Sequence, residues 1–383
     1  MDERARQIAA TPTGSAIGRL RAPPGFKISL FALLPGARSI TRADDGTLFV
    51  GTGGFANPKT VVYRLKDWNH DGKVAPDEID TPITGAKNPN GVAFRDGKLY
   101  VADIDRILVY TGLPGLMYGY PAATPAVLPQ RFPNEGGHGW KYIRFAPAPD
   151  DKWLYIAVGA NCNTCKVLPP FGAVYRVNVL GTERETVATG IRNTVGFDFD
   201  PVTKHFLFTD NGRDGWGDDR PPDELNEISP GKDPSSHFGF PYCYGKKLRD
   251  DSIAFDKKVK SCESTVKPVV ELGAHVAALG MRFYRGSMFP AEYRNQIFIA
   301  EHGSWNRSKK SGYRVTAAKR TGSRWEYQPI VTGWLDEATQ AHYGRPVDVH
   351  ELPDGSLLIS DDGSGEDPHL DGALYRLEYS SER

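Results

Sequence analysis

The sequence has no net charge: 47 Lys and Arg balance 47 Asp and Glu over 383 residues. That balance argues against a nucleic-acid or anionic-membrane partner, since both favour basic patches. No apolar run approaches the ~18 residues that a membrane span needs, so no span is expected. Met1 is followed directly by Asp2, Glu3 and Arg4, so the opening residues are not expected to be a signal peptide. Cysteines are few, at four. Cys162 and Cys165 form a C-x-x-C, but neither a second such pair nor a matching histidine pair accompanies them, which speaks against structural zinc. Two loop-stapling disulfides are expected instead, Cys162–Cys165 and Cys243–Cys262, with reduced thiols as the alternative. Disulfides point to a periplasmic or secreted protein.

Glycine and proline are plentiful, at 41 and 29, as a turn-rich all-β chain requires. One pattern recurs, clearest in NGVAFRDGKLYVAD (residues 90–103): an alternating apolar run, a turn dipeptide and a second apolar run. This reads as a β-hairpin. Copies stand at 39–51, 142–159, 194–210, 279–301 and 346–361. Each has a weaker partner downstream, at 60–67, 106–113, 172–190, 223–231, 312–334 and 372–379. Two hairpins make a four-stranded sheet, so the pattern predicts an all-β fold, a six-bladed β-propeller with four-stranded antiparallel blades. A flat sandwich explains six in-phase copies poorly. The alternating stretch 25–34 is expected to pair with 372–379 and close the ring, because an open propeller leaves a strand edge exposed. Residues 1–24 then form a tail or strap, and 25–383 a single propeller domain. Residues 180–189 read as an exposed hairpin tip, 216–237 as a long insertion, and 246–267 as a surface excursion held by Cys243–Cys262.

Residues 67–78, DWNHDGKVAPDE, carry the spacing of a calcium-binding EF-hand loop. Asp67, Asn69, Asp71, Lys73 (through its carbonyl) and Glu78 take positions one, three, five, seven and twelve, with Gly72 at the sharp sixth. Flanking helices are missing, and Ala75 replaces the usual polar ninth residue. A structural calcium is expected; a solvated acidic turn is the plainer alternative.

In a propeller, the residues before and after each hairpin surround one central funnel. Before the hairpins stand Arg38, Asn88, Asn90, His138, Arg192, Asn193, His275 and Arg345. After them come 53–57, 103–106, 161–165, 211–216, 302–307 and 361–365. Fixed cations at corresponding places in several blades suit a small polyanionic ligand. His138 lies in GGHGW, whose glycines leave the ring open to a substrate, as a general base requires; a surface-loop histidine is the alternative. Arg192 and Asn193 in GIRNTVGF could together hold a carbonyl or carboxylate, or the arginine could tie blades together. In EHGSWNR, with His302 and Arg307, Trp305 is either a stacking platform or a buried blade-top residue.

The motifs GGHGW, GIRNTVGFDFDP, TDNGRDGWGDD, HFGFPYCYG, EHGSWNR and GRPVDVHELPDGSLLISDD, in this order, resemble the glucose/sorbosone dehydrogenase family over residues 25–379. These are soluble sugar dehydrogenases that use pyrroloquinoline quinone (PQQ). The resemblance implies PQQ in the central funnel, held by arginines and calcium. It matches His138 to the general base, Arg192 and Asn193 to the pair at the quinone, Arg345 to a partner of a PQQ carboxylate, and the backbone carbonyls of Gly212 and Arg213 to calcium ligands. Asn90, His302, Trp305 and Arg307 complete the expected cofactor contacts. The implied reaction is oxidation of an aldose or sugar aldehyde at C1 by hydride transfer to the quinone, with calcium and Arg192 polarising the quinone oxygen.

Three departures set the chain apart from glucose-oxidising members. Gly137 stands where they carry an Asp before the histidine, Val347 where they carry a second arginine, and the His302–Arg307 loop where they carry a lysine. These place it nearer the sorbosone branch. The expected partners are a sugar and an external electron acceptor, a cytochrome or quinone, with the protein a monomer or homodimer. A calcium-dependent lactonase-type propeller and a non-catalytic binding propeller are the competing readings.

Overall fold

The computed structural model describes residues 16–53, 60–135, 137–229, 236–322, 324–363 and 372–380. Of the segments named above, residues 1–15, 54–57, Gly136, 230–235, Ser323 and 364–365 lie outside the described residues.

Six four-stranded antiparallel sheets follow one another along the chain. Blade one is Ala37–Arg42, Leu48–Thr52, Val62–Leu65 and Ile79–Ile83; blade two is Gly91–Arg95, Lys98–Asp103, Arg106–Thr111 and Ala126–Val127. Blade three is Ile143–Phe145, Trp153–Val158, Ala173–Asn178 and Arg184–Thr189; blade four is Gly196–Phe199, Phe206–Asp210, Pro222–Ile228 and Val270–Ala274. Blade five is Ala278–Phe283, Ile297–Glu301, Arg314–Thr321 and Arg324–Val331. Blade six, Pro346–Glu351, Leu357–Asp361 and Ala373–Tyr379, is completed by Phe26–Leu33 from the start of the chain, with Phe26 opposite Tyr379 and Leu33 opposite Ala373. The fold is a six-bladed β-propeller, closed through that pairing. Ahead of it, Ala16 and Leu20 pack into the cluster between blades five and six, and Arg21 pairs with Thr332.

The second strand of each blade is sandwiched between neighbouring blades. Every residue of Trp153–Val158, Phe206–Asp210 and Ile297–Glu301 is buried. Cover on both faces explains why these strands read as unbroken apolar runs and not as alternation. Outer strands face water on one side; Arg184–Thr189 is one of them, so the expected tip at 180–189 is a blade's fourth strand preceded by a short turn.

The innermost strands turn a free edge toward the axis, where an unpaired amide would be costly. Side chains of adjoining blades take these amides. Asp348 Oδ2 accepts from Ile40 N at 3.1 Å, Asp198 Oδ2 from Phe283 N at 2.9 Å, and Ser39 Oγ from Val92 N at 3.1 Å. Both disulfides, Cys162–Cys165 and Cys243–Cys262, are formed.

The 67–78 loop joins the third and fourth strands of blade one. Its acidic side chains turn onto the loop's own amides. Asp67 accepts from Asp71 N at 3.2 Å and Gly72 N at 2.9 Å, and Asp71 from Lys73 N at 2.9 Å. Glu78, only 6% exposed, accepts from Trp68 N at 2.8 Å and Ala75 N at 2.9 Å. Among the described residues, no three His, Cys, Asp or Glu side chains converge as a metal site. The loop takes the compact turn that its spacing predicts, and calcium binding through Asp67, Asn69, Asp71, Lys73 (carbonyl) and Glu78 is a proposal that a calcium titration tests.

Candidate active site

Where the inner strands begin, the loops enclose a cavity of about 510 Å³. Its wall includes Arg38, His138, Arg192, Asn193, Gly212, His275, His302, Trp305 and Arg345, drawn from five blades. Most of the ring read from the sequence is therefore brought together.

His138 sits on a loop pressed against the end of blade three. A Cβ on Gly159 would fall 2.6 Å from His138 Cβ, and one on Gly139 would fall 1.6 Å from the Glu135 carbonyl oxygen. Only glycine permits that approach. His138 itself takes φ +52°. Its Nδ1 lies 2.7 Å from the Ala160 carbonyl oxygen. A carbonyl can only accept, so Nδ1 carries the proton and Nε2 keeps its lone pair. Burial, reinforced by the Arg192 cation, pushes the ring down to about 4. The imidazole is neutral at neutral pH, with one nitrogen fixed and the other bare.

Arg192 is 3% exposed and densely engaged. Its Nε donates to the Asn163 carbonyl at 2.8 Å, its Nη2 to Asn163 Oδ1 and Asp214 Oδ2 at 2.8 Å each, and its Nη1 to the Asn211 carbonyl at 3.4 Å. Of the five N–H groups of a guanidinium, one on Nη1 is left for a ligand. Asn163 stands between the bridged Cys162 and Cys165, so the disulfide holds the carrier of Arg192 in place. Asp210 accepts from Arg192 N at 2.9 Å and Asn193 N at 2.7 Å, fixing both residues to the end of their hairpin. Burial raises the Asp210 carboxyl to about 7.

Arg345 differs. Its Nε donates to the His302 carbonyl at 3.1 Å and its Nη2 to the Gly303 carbonyl at 2.7 Å. Nη1 has no partner among the described residues, and no carboxylate pairs with this guanidinium there. Arg38, by contrast, is ion-paired to Asp362 at 2.5 Å, and Asp362 also accepts from His302 Nε2 at 2.9 Å. Burial and the Arg345 cation hold His302 down to about 4. The bed of the cavity is apolar, with Trp140, Val195 and Leu279 on its wall beside buried Val347. Trp305 is 74% exposed, which rules out the buried blade-top alternative.

Two expected contacts, Asn90 and Arg307, fall elsewhere. Asn90 is 1% exposed, beneath the wall; its Oδ1 accepts from Arg38 Nε at 2.5 Å and its Nδ2 donates to the Lys141 carbonyl at 3.0 Å. Lys141 Nζ in turn donates to the Gly139 carbonyl, beside His138, at 2.6 Å. Asn90 thus links the Arg38–Asp362–His302 group to the His138 loop. Arg307 points away from the cavity and pairs with Asp219 at 2.7 Å, because the blade-five loop leans on the acidic blade-four insertion. The Arg213 side chain pairs with Asp250; its neighbour Gly212 lines the wall and donates its N–H to Asp223 Oδ1 at 2.8 Å. The sequence reading missed Asp223 and the counter-ions Asp214 and Asp362. The last two lie in the post-hairpin segments 211–216 and 361–365, so position alone could have flagged them.

PQQ is a flat tricarboxylate, and the cavity can be tested against it. An apolar bed suits a flat ring system, and Arg345 offers open donors for a carboxylate, so the residues fit. Calcium beside it would have the hard backbone oxygens of Gly212 and Arg213. Nearby Asp214 and Asp223 are engaged with Arg192 and with backbone amides, so the protein alone presents no complete cation cage there.

The fold and the site define a six-bladed propeller with an arginine- and histidine-lined axial cavity. A TrAA12-like family model matches residues 179–367. A Borreliella burgdorferi protein described as uncharacterized is 36% identical over 375 residues, 94% of this chain and 91% of that one. The chain belongs to the TrAA12-like family. A PQQ-dependent pyranose dehydrogenase of Coprinopsis cinerea is 31% identical over 122 residues, which is 27% of this chain and only 16% of that protein. Among solved structures, a Trichoderma reesei enzyme of carbohydrate-active family AA12 superposes with a TM-score of 0.79 at 19% identity, covering 94% of this chain and 98% of that one. The PQQ domain of the Coprinopsis pyranose dehydrogenase gives 0.74 at 18% identity, covering 94% and 97%. A PQQ-bound aldose sugar dehydrogenase from Streptomyces coelicolor gives 0.63 at 16%, covering 94% and 100%. At these identities the structural likeness establishes the fold.

Proposed function

We propose that this protein is a sugar oxidoreductase that uses PQQ, with calcium beside it, to oxidise an aldose, pyranose or sorbosone-like aldehyde at C1. The observation that carries the proposal is the bare Nε2 of neutral His138, in one cavity with the open donors of Arg345 and an apolar bed. PQQ, when bound, supplies the acceptor for the hydride. His138 Nε2 takes the proton from the hydroxyl of the carbon being oxidised. The Nδ1–H bond to Ala160 holds the ring in place and steadies it once it is charged. Arg345 Nη1 would hold a carboxylate of the cofactor, and the amide of Asn193 with the remaining N–H of Arg192 would stabilise negative charge as it grows there. Exposed Trp305 offers a face on which a sugar ring can stack. A lactonase-type site would need acidic side chains converging on an axial metal, and the described residues have no such group.

The two disulfides favour an oxidising compartment, the periplasm or the cell exterior, where an external acceptor would reoxidise the cofactor. The test is reconstitution with PQQ and calcium, followed by dye reduction over a panel of aldoses and pyranoses. Cofactor-loaded protein that reduces dye with none of them refutes the proposal.

A further inference from the structure

The inner strands that begin at the cavity end in a second, smaller opening of about 210 Å³ on the opposite face. Arg38 and Arg42 mark the two ends on one strand, about 13 Å apart at ~3.3 Å per residue. Arginines from alternate blades line this opening: Arg42 of blade one, Arg144 of blade three and Arg282 of blade five. Arg282 is only 3% exposed. Its Nε donates to the Val349 carbonyl at 3.1 Å, and its terminal nitrogens have no partner among the described residues. Arg144 Nε lies 3.1 Å from Asp198 Oδ1, and Arg42 makes no ion pair among the described residues. His350 Nδ1 is buried at the same opening with no hydrogen-bond partner.

Nearby carboxylates cover these cations only in part, Asp198 Oδ1 being the one that faces Arg144. Asp348 gives both oxygens to amides, Ile40 N at 3.1 Å and Val349 N at 2.9 Å. Asp198 Oδ2 takes Phe283 N and Arg285 Nη1, at 2.9 Å each. Three guanidinium groups on one small opening with open N–H groups repel one another. A compact oxyanion relieves this repulsion, because its oxygens match the guanidinium fork.

We propose that this opening is a binding site for one small doubly charged oxyanion, of the size of phosphate or sulfate, which braces blades one, three and five across the axis. A cavity of about 210 Å³ accommodates such an ion with a few waters and excludes a nucleotide. The site is separate from the sugar-oxidation cavity and does not depend on that reading.

The test is calorimetric titration of the whole chain at constant ionic strength and pH 8. Phosphate and sulfate should each bind with one equivalent, and nitrate, a planar monoanion, at least about tenfold more weakly. Arg282→Gln and the half-exposed Arg42→Gln should each weaken phosphate at least about tenfold, while Arg345→Gln in the opposite cavity retains it. If Arg282→Gln does not fold, Arg42→Gln decides. No saturable heat up to tens of millimolar phosphate, nitrate binding as tightly as sulfate, or loss of binding in Arg345→Gln with retention in Arg42→Gln would each overturn the proposal.

Discussion

The depressed basicity of His138 makes the pH profile of sugar oxidation a sharp test. Burial is the larger cause of the depression and the Arg192 cation the second, and together they bring the ring to about 4. At pH 5.5 a base at about 4 is ~97% neutral, whereas one at the ordinary 6.5 is only ~10% neutral. The two cases differ by about tenfold in active base, well within the reach of steady-state kinetics. For PQQ-loaded enzyme, kcat/KM should stay flat from neutral pH down to about 5 and fall only toward 4. Arg192→Gln removes one of the causes and should move that limb upward, whatever it does to the absolute rate. Asp223, also on the cavity wall and raised by burial to about 6, is the competing titration. A limb near 6 that Arg192→Gln leaves in place would assign the profile to Asp223 and refute the reasoning. The same shift bears on stability. Unfolded histidine takes a proton below about 6.5, whereas folded His138 and His302 do so only near 4. Their contribution is present above about 6.5 and is lost as pH falls through 4.

Arg345→Gln should lower PQQ affinity, by about 1.5–3 kcal/mol for a desolvated charge-assisted pair, before it lowers the rate at saturating cofactor; a cofactor titration with the rate measured at saturation checks the order. Replacing Cys162 and Cys165 by serine should cost about 2 kcal/mol, and Cys243 with Cys262 about 3, from loop length alone. Urea melts measure both, and only the first pair should also reduce kcat, through Asn163 and Arg192. Trp305→Ala should raise KM for sugar and leave the melting temperature within about a degree, since the side chain is 74% exposed; a large loss of stability would contradict the stacking role.

The blades were legible because each repeats two apolar runs around a turn, and sandwiching between neighbours makes such runs long and regular. The closing strand was legible because the sequence of Phe26–Leu33 alternates, as that of an outer strand wet on one face does. The weakest strands were not: Ile79–Ile83, Ala126–Val127 and Val270–Ala274 stand at blade rims, where little burial constrains their residues. At the site, position relative to each hairpin brought His138, Arg192, His302 and Arg345 to one wall. Position could not say which guanidinium keeps open donors, because that depends on partners far away in sequence: Asp362 for Arg38, Asn163 and Asp214 for Arg192. Asn90 and Arg307 failed on this point. For the 67–78 loop, spacing fixes which oxygens are present, and a calcium titration decides whether they bind the metal. Arg42, Arg144 and Arg282 carried no signal, since a strand arginine facing an axial opening looks like one facing water.

The central claim is that His138 is the base and does not hold the cofactor. Rapid mixing of PQQ-loaded His138→Gln with sugar, followed by cofactor absorbance in a single turnover, tests it most directly. The account predicts wild-type PQQ loading with reduction slowed about 10²–10⁴-fold. Reduction at the wild-type rate would contradict it.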